Sequence, residues 1–100
     1  MSSPAVPISP DFASIHNYYE RPVLEAVAAV ASHYPLVEGE LLADVACVAL
    51  NRLPPRYIRH DVDLAFYLTE KERADNEKAV GDAVRYAFEF VQARRAMRAR

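Results

Sequence analysis

One hundred residues suit a single domain, and a chain of this length buries roughly 60–65% of the surface that it exposes when unfolded. The formal net charge is −2, so bulk charge gives no reason to expect direct DNA binding. The single cysteine excludes an internal disulfide and a multi-cysteine zinc site. With no signal-peptide pattern and no bilayer-length apolar run, we expect a cytoplasmic protein with no membrane partner.

The first ten residues predict a flexible N-terminal arm, because they contain three prolines and three serines without any periodicity. Residues 11–100 are then expected to form one domain. Across the chain, glycine is scarce (two residues) and proline is frequent (seven residues). That balance favours helices with firm ends over sheets with tight turns.

The first long element is predicted over residues 15–34, where apolar residues recur at helical spacing. Pro22 interrupts it and leaves two alternatives. Either a short first turn over residues 14–21 precedes a second helix with Pro22 in its first turn, or one helix continues through a kink. The spacing favours the kinked helix.

A second helix is predicted from Gly39 to about Arg52, and nearly every position in it is apolar. A helix that is apolar almost all round is expected at the centre of the core. Asp44 would then need an arginine or a backbone donor beside it. Cys47 is interpreted as a small buried hydrophobic residue.

The segment after this helix begins with Pro54 and Pro55, which cannot continue a helix. Apolar residues then alternate with polar ones over residues 57–68, which predicts a short β-strand or an extended chain. The sequence offers no second strand. We therefore expect the segment to pair with its copy in a dimer or to form an ordered loop, and Asp63 could alternatively cap a short helix that ends at Phe66.

A capping box at Thr69 and Glu72 predicts a final helix that runs to the chain end. Two adjacent apolar stripes follow its length, so one is expected to cover the core and the other a partner subunit. They are Ala79, Ala83, Tyr86, Phe90, Ala93 and Met97, and Val80, Val84, Ala87 and Val91. The predicted fold is therefore all-α, a small helical domain with one extended or short β segment, expected to form a dimer.

The segment around the double proline concentrates the groups that bind small anionic ligands. Arginine donates to phosphate oxygens or to the O6/N7 edge of guanine, carboxylates accept from the guanine N1–H, and tyrosine and histidine stack on bases. The candidate ligand-binding residues are Arg52, Arg56, Tyr57, Arg59, His60 and Asp61. If the chain is extended there, Tyr57, Arg59 and Asp61 share one side. The alternative is that Arg59 forms surface ion pairs with Asp61 or Asp63 around a chain reversal.

Catalysis is not expected from this sequence. The three histidines are scattered, and the chain contains no glycine-rich phosphate loop and no helical metal-binding spacing. His16 and Glu20 lie one helical turn apart if the segment is a helix, and a surface contact between them is the favoured interpretation.

Two blocks carry a resemblance to a known family. Residues 15–20 (IHNYYE) and residues 43–57 (ADVACVALNRLPPRY) together resemble the ComFB (late competence development) family. Residues 50–57 are its most specific part, and it extends over roughly residues 15–91. It implies a small, mainly helical, dimeric bacterial protein. Some members hold zinc through several cysteines; this chain has one, so no metal site carries over.

The resemblance also implies a function. Members of the family are understood to be receptors for cyclic dinucleotides, chiefly cyclic di-GMP, which relay its level to partners in motility, surface-pilus or competence behaviour. We therefore expect a non-enzymatic cyclic di-GMP receptor without a cofactor, in which Asn17 and Glu20 complete the binding site. The alternative is a ligand-free adaptor that acts as a homodimer. A hydrolase of the dinucleotide has little support.

Overall fold

The computed structural model describes residues 10–60 and 67–98, and these residues are mainly helical. The predicted all-α class is confirmed, as is a short β segment after the double proline. The helices are α1 (Pro10–Ala13), α2 (Glu20–Val30), α3 (Glu40–Asn51) and α4 (Glu70–Arg98), the strands are β1 (His16–Asn17) and β2 (Tyr57–Ile58), and a 3₁₀ turn covers Ala31–His33.

The predicted kinked helix over residues 15–34 is wrong. Helix α2 begins at Glu20 and contains Pro22 in its first turn, where a missing N–H costs little because that group has no partner within the helix. The alternative with Pro22 in a first turn is therefore confirmed in that respect. The chain before α2 differs from it, because the preceding helix is Pro10–Ala13 and His16–Asn17 are extended.

The two strands form a small antiparallel sheet in which His16 lies opposite Ile58 and Asn17 lies opposite Tyr57. The expectation that the strand after the double proline lacks a partner within the chain is wrong, because β1 supplies one. Strand β1 was missed because its residues were assigned to the helix predicted over residues 15–34. The helix proposed between Asp63 and Phe66 lies outside the described residues.

The core lies where α3 packs on α4 and α2 packs on both. Phe88 on α4, Val23 on α2 and Val45 on α3 are its largest fully buried side chains, and Tyr34 stacks on Phe88 with ring centroids 4.5 Å apart. Gly39 directly precedes α3 with φ of 60°, a conformation that glycine adopts without a steric cost. The backbone can therefore turn sharply into α3.

Helix α3 occupies the predicted residues, but it is not enclosed by the domain. Val45, Ala46 and Ala49 are buried, whereas Asp44 and Cys47 are exposed. The expected burial of these two residues is therefore wrong. Helices α2 and α4 cover only part of the helix circumference, and an apolar composition alone did not reveal which side they leave open.

Helix α4 confirms the predicted cap and length, since the Glu72 N–H donates to Thr69 Oγ1 at 3.0 Å and the helix continues to Arg98. One apolar stripe covers the core, as predicted. The other stripe is exposed in its second half, where Tyr86 is 41% and Met97 73% exposed. No helix within the described ranges has both the length and the hydropathy needed to cross a bilayer.

Candidate functional site

The candidate site begins where α3 ends. The Arg52 N–H donates to the Ala49 carbonyl at 3.0 Å, and Leu53 places a buried side chain in the core directly before the two prolines. Leu53 therefore anchors the start of the segment. From Pro54 to Tyr57 the chain is exposed at every position.

Both polar groups of the Arg56 backbone are bonded, the N–H to Asn17 of β1 and the carbonyl to the residue that follows β1. Its N–H donates to Asn17 Oδ1 at 3.0 Å, and its carbonyl accepts from the Tyr18 N–H at 2.6 Å. Asn17 Oδ1 also accepts from the Tyr19 N–H at 3.2 Å. Asn17 was predicted as a ligand-binding residue. Its side-chain oxygen holds two backbone N–H groups and so positions the segment that carries Arg56.

Exposed side chains lie along this fixed backbone. Arg56 and His60 are exposed, Tyr57 is 68% exposed, and Ile58 is half-buried. Residues opposite one another in an antiparallel pair project to the same face, so Tyr57 shares a face with Asn17 and Ile58 shares the other with His16. The predicted alternation therefore holds at Tyr57 and Ile58.

Arg59 is held by the segment around α1. Its Nε donates to Ser14 Oγ at 3.2 Å, and its Nη2 lies 3.7 Å from Asp11 Oδ1. About half of the Arg59 side chain remains exposed, so the guanidinium is oriented and still accessible. The ion pairs predicted with Asp61 and Asp63 involve residues outside the described ranges.

Arg52 and Glu20 occupy different surroundings. The Arg52 guanidinium carbon lies 3.7 Å from the ring centroid of Tyr86, so the Arg52 side chain packs on the surface of α4. Glu20 is exposed in the first turn of α2, where a carboxylate is favoured by the helix dipole. The structure thus groups Asn17, Arg56 and Tyr57 around the two strands and places Arg52 against α4.

Sequence reasoning missed three residues that contact the candidate ligand-binding arginines. Asp11 and Ser14 hold Arg59, and Tyr86 lies under Arg52. Arg59 and Ser14 are separated by 45 positions, and no local spacing indicates such a contact. Tyr86 was assigned to an apolar stripe, although its aromatic ring also suits a guanidinium. Among the described residues, no cluster of three or more histidine, cysteine, aspartate or glutamate side chains could hold a metal ion.

A comparison of the chain with models of protein families tests the resemblance that residues 15–20 and 43–57 suggested. The model of the late competence development protein ComFB matches residues 16–95. The chain belongs to the ComFB family. No curated protein and no solved structure matches it. The ComFB match begins at the first residue of β1 and includes the Asn17–Arg56 hydrogen bond, whereas Asp11 and Ser14 precede it.

Proposed function

We propose that this ComFB-family protein is a non-enzymatic cytoplasmic receptor for a cyclic dinucleotide, with cyclic di-GMP as the preferred ligand. The observation that carries the proposal is the fixed segment after the double proline. Its backbone is bonded to β1 through Arg56, while the side chains of Arg56 and Tyr57 remain exposed. A segment that is ordered before binding loses less conformational entropy when a ligand arrives.

The side chains suit both parts of this ligand. A guanidinium offers a planar set of donors to a phosphate or to the O6/N7 edge of guanine, and a tyrosine ring offers a stacking surface for a base. Arg56 and Arg59 would contact phosphate or guanine, and Tyr57 and His60 would stack. Asp61 would read the guanine edge, as predicted from the sequence.

Arg52 and Asn17 take different parts in this proposal. Arg52 would contribute either by leaving the Tyr86 ring or by presenting the outer face of its guanidinium. Asn17 would act through Arg56 as a positioning residue. Glu20 is retained as a candidate contact.

A cyclic dinucleotide is two-fold symmetric, so a homodimer would match it by placing two copies of the segment around one ligand. The bound dimer would pass the second-messenger level to a protein partner in motility, pilus or competence behaviour. The second candidate function is a ligand-free homodimeric adaptor. The exposed aromatic residues Tyr86 and Phe90 on α4 favour it, since they are 41% and 38% exposed.

Calorimetry with the purified protein tests the proposal. We expect heat on addition of micromolar cyclic di-GMP and weaker binding of cyclic di-AMP. Arg56→Ala and Arg59→Ala should each weaken binding by about 1.5–3 kcal/mol, the contribution of a charged hydrogen bond. Arg85→Ala is the matched control, because it removes the same charge from an exposed position on α4 that pairs with Asp82.

Two further measurements separate the alternatives. No heat with either nucleotide would exclude the receptor, and a dimer under those conditions would favour the adaptor. Light scattering with and without ligand gives the oligomeric state. Intact cyclic di-GMP after long incubation with protein and divalent metal would support a receptor without hydrolytic activity.

A further inference from the structure

A second surface lies along α3 and the C-terminal half of α4, and the candidate ligand site does not use it. It contains a groove of about 490 Å³. Leu41, Val48, Phe90 and Val91 supply apolar lining, and Cys47 and Asp44 stand on the α3 wall. We name this surface the α3/α4 groove.

The α3/α4 groove is locally basic in a chain with a formal net charge of −2. Its α4 wall carries Arg94, Arg95 and Arg98, whereas Asp44 is the one carboxylate among the described lining residues. No salt bridge among residues 10–60 and 67–98 neutralises these three arginines. The Arg94 guanidinium carbon lies 5.7 Å from the Phe90 ring centroid, which keeps one positive charge beside the apolar lining.

An exposed apolar stripe on α4 adjoins the groove at Phe90. Tyr86 and Phe90 stack with ring centroids 6.0 Å apart, and Met97 is 73% exposed. From Tyr86 to Met97 the stripe covers roughly 16 Å at the helical rise per residue. That length corresponds to three turns of a helix and exceeds what one bound side chain would fill.

We infer that the α3/α4 groove is a docking site for an acidic amphipathic helix of a partner protein. The apolar face of such a helix would pack on Leu41, Val48 and Phe90, in the helix-in-groove mode of recognition. Carboxylates on its flank would pair with the arginines on the α4 wall. The unneutralised positive charge selects an acidic partner over a basic one, since like charges brought together across an interface are strongly unfavourable.

Binding in the groove can be measured with a dye attached to Cys47. This residue is the only cysteine of the chain, is exposed and lines the groove. An environment-sensitive dye on its thiol reports when the groove becomes covered. The probes are two synthetic helical peptides with the same leucine stripe. One carries glutamates on its flank and the other carries lysines at the same positions, and the two residues have similar helix propensity.

The acidic peptide should shift the dye emission to shorter wavelength and bind at least about tenfold more tightly than the basic peptide. Its affinity should fall as salt rises. Arg94→Glu should weaken the acidic peptide by about tenfold and strengthen the basic one. Arg21→Glu is the control, since it makes the same charge change in the first turn of α2, where an acid suits the helix dipole.

Three results would overturn the inference. The first is equal affinity for the two peptides, which would indicate an apolar surface without charge selection. The second is no binding of the acidic peptide by the labelled protein or, in calorimetry, by the unlabelled protein, up to about 1 mM. The third is an emission shift when excess unlabelled protein is added, combined with a protein mass in solution twice that of one chain. That result would assign the groove to a second copy of the chain. Circular dichroism confirms that each variant is folded.

Discussion

Asn17 Oδ1 accepts a hydrogen bond from the backbone N–H of Arg56 at 3.0 Å, across 39 positions of sequence. The same oxygen accepts from the Tyr19 N–H at the start of α2. One side chain therefore joins the strand before α2 to the segment after α3. The shape of the candidate site depends on an amide oxygen that the sequence suggested for ligand contact.

Asn17→Ala should lower the free energy of unfolding by about 1–2 kcal/mol, because two backbone donors lose their acceptor. Urea denaturation measures this loss. Asn17→Asp keeps an oxygen acceptor and should retain most of the stability, whereas Asn51→Ala, at an exposed position on α3, should change it little. Equal stability of the alanine and wild-type proteins would show that water replaces the amide oxygen.

The elements that sequence predicted well are those whose evidence is local. The apolar pattern of α3, the capping box at Thr69 and the stripes of α4 each lie within one contiguous segment. Strand β1 was missed because two residues are too few to show a period of two. Its paired residues in β2 lie 42 and 40 positions away in sequence. Its pairing with β2 depends on tertiary packing.

The errors on α3 have a related cause. An apolar composition indicates that a helix has apolar neighbours, but it does not show how much of the helix surface those neighbours cover. Asp44 and Cys47 are exposed because α2 and α4 leave one side of α3 open. The candidate site shows the same limit, since the chemistry of Arg59 was evident from its type, but its contact with Ser14 was not.

The cation–π contact between Arg52 and Tyr86 predicts a measurable coupling. Arg52→Ala and Tyr86→Leu should each reduce the unfolding free energy, and a double-mutant cycle should give a coupling of about 0.5–1 kcal/mol, as for exposed contacts of this kind. Arg85→Ala combined with Tyr86→Leu is the control cycle. A coupling near zero would mean that the guanidinium leaves the ring in solution and is free for ligand.

Asn76 on α4 is expected to be a weak point in the packing against α2. Its Oδ1 accepts from the Tyr19 hydroxyl at 3.4 Å, while its buried Nδ2 has no hydrogen-bond partner among the described residues. A buried unpaired donor is unfavourable, and replacing both polar partners with apolar groups of similar shape can be neutral or stabilising. The double variant Tyr19→Phe/Asn76→Leu should therefore unfold at no lower urea concentration than the wild type; a clearly lower midpoint would indicate that Nδ2 is bonded in solution.

The carboxylate of Asp82 should titrate below its ordinary range. A hydrogen bond and charge interaction with Lys78 lower the pKa of Asp82, and Arg85 lowers it further. The pKa of Asp82 is lower in the folded state than in the unfolded state. The charged carboxylate therefore stabilises the fold at a pH above the unfolded-state pKa, and this stabilisation is lost as the pH falls through the folded-state pKa. NMR titration should show the pKa of Asp82 rising in Lys78→Gln and staying unchanged in Lys71→Gln; an equal change in both would indicate a general charge effect.

The last prediction concerns how Asp11 affects the proposed ligand site. Its carboxylate lies 3.7 Å from the Arg59 guanidinium and is 82% exposed, so the pair is weak and competes with any anion that approaches. Asp11→Asn should therefore raise the affinity for cyclic di-GMP by up to about fivefold, since exposed ion pairs contribute up to about 1 kcal/mol.

Asp75→Asn provides the matched control for this prediction, because it removes the same charge from an exposed pair with Lys71 on α4. Calorimetry on both variants separates the explanations. An equal gain in the two would reflect net charge alone. A loss of affinity in Asp11→Asn would mean that the carboxylate orients Arg59 for the ligand, and the segment around α1 would then belong to the binding site although it precedes the matched ComFB region.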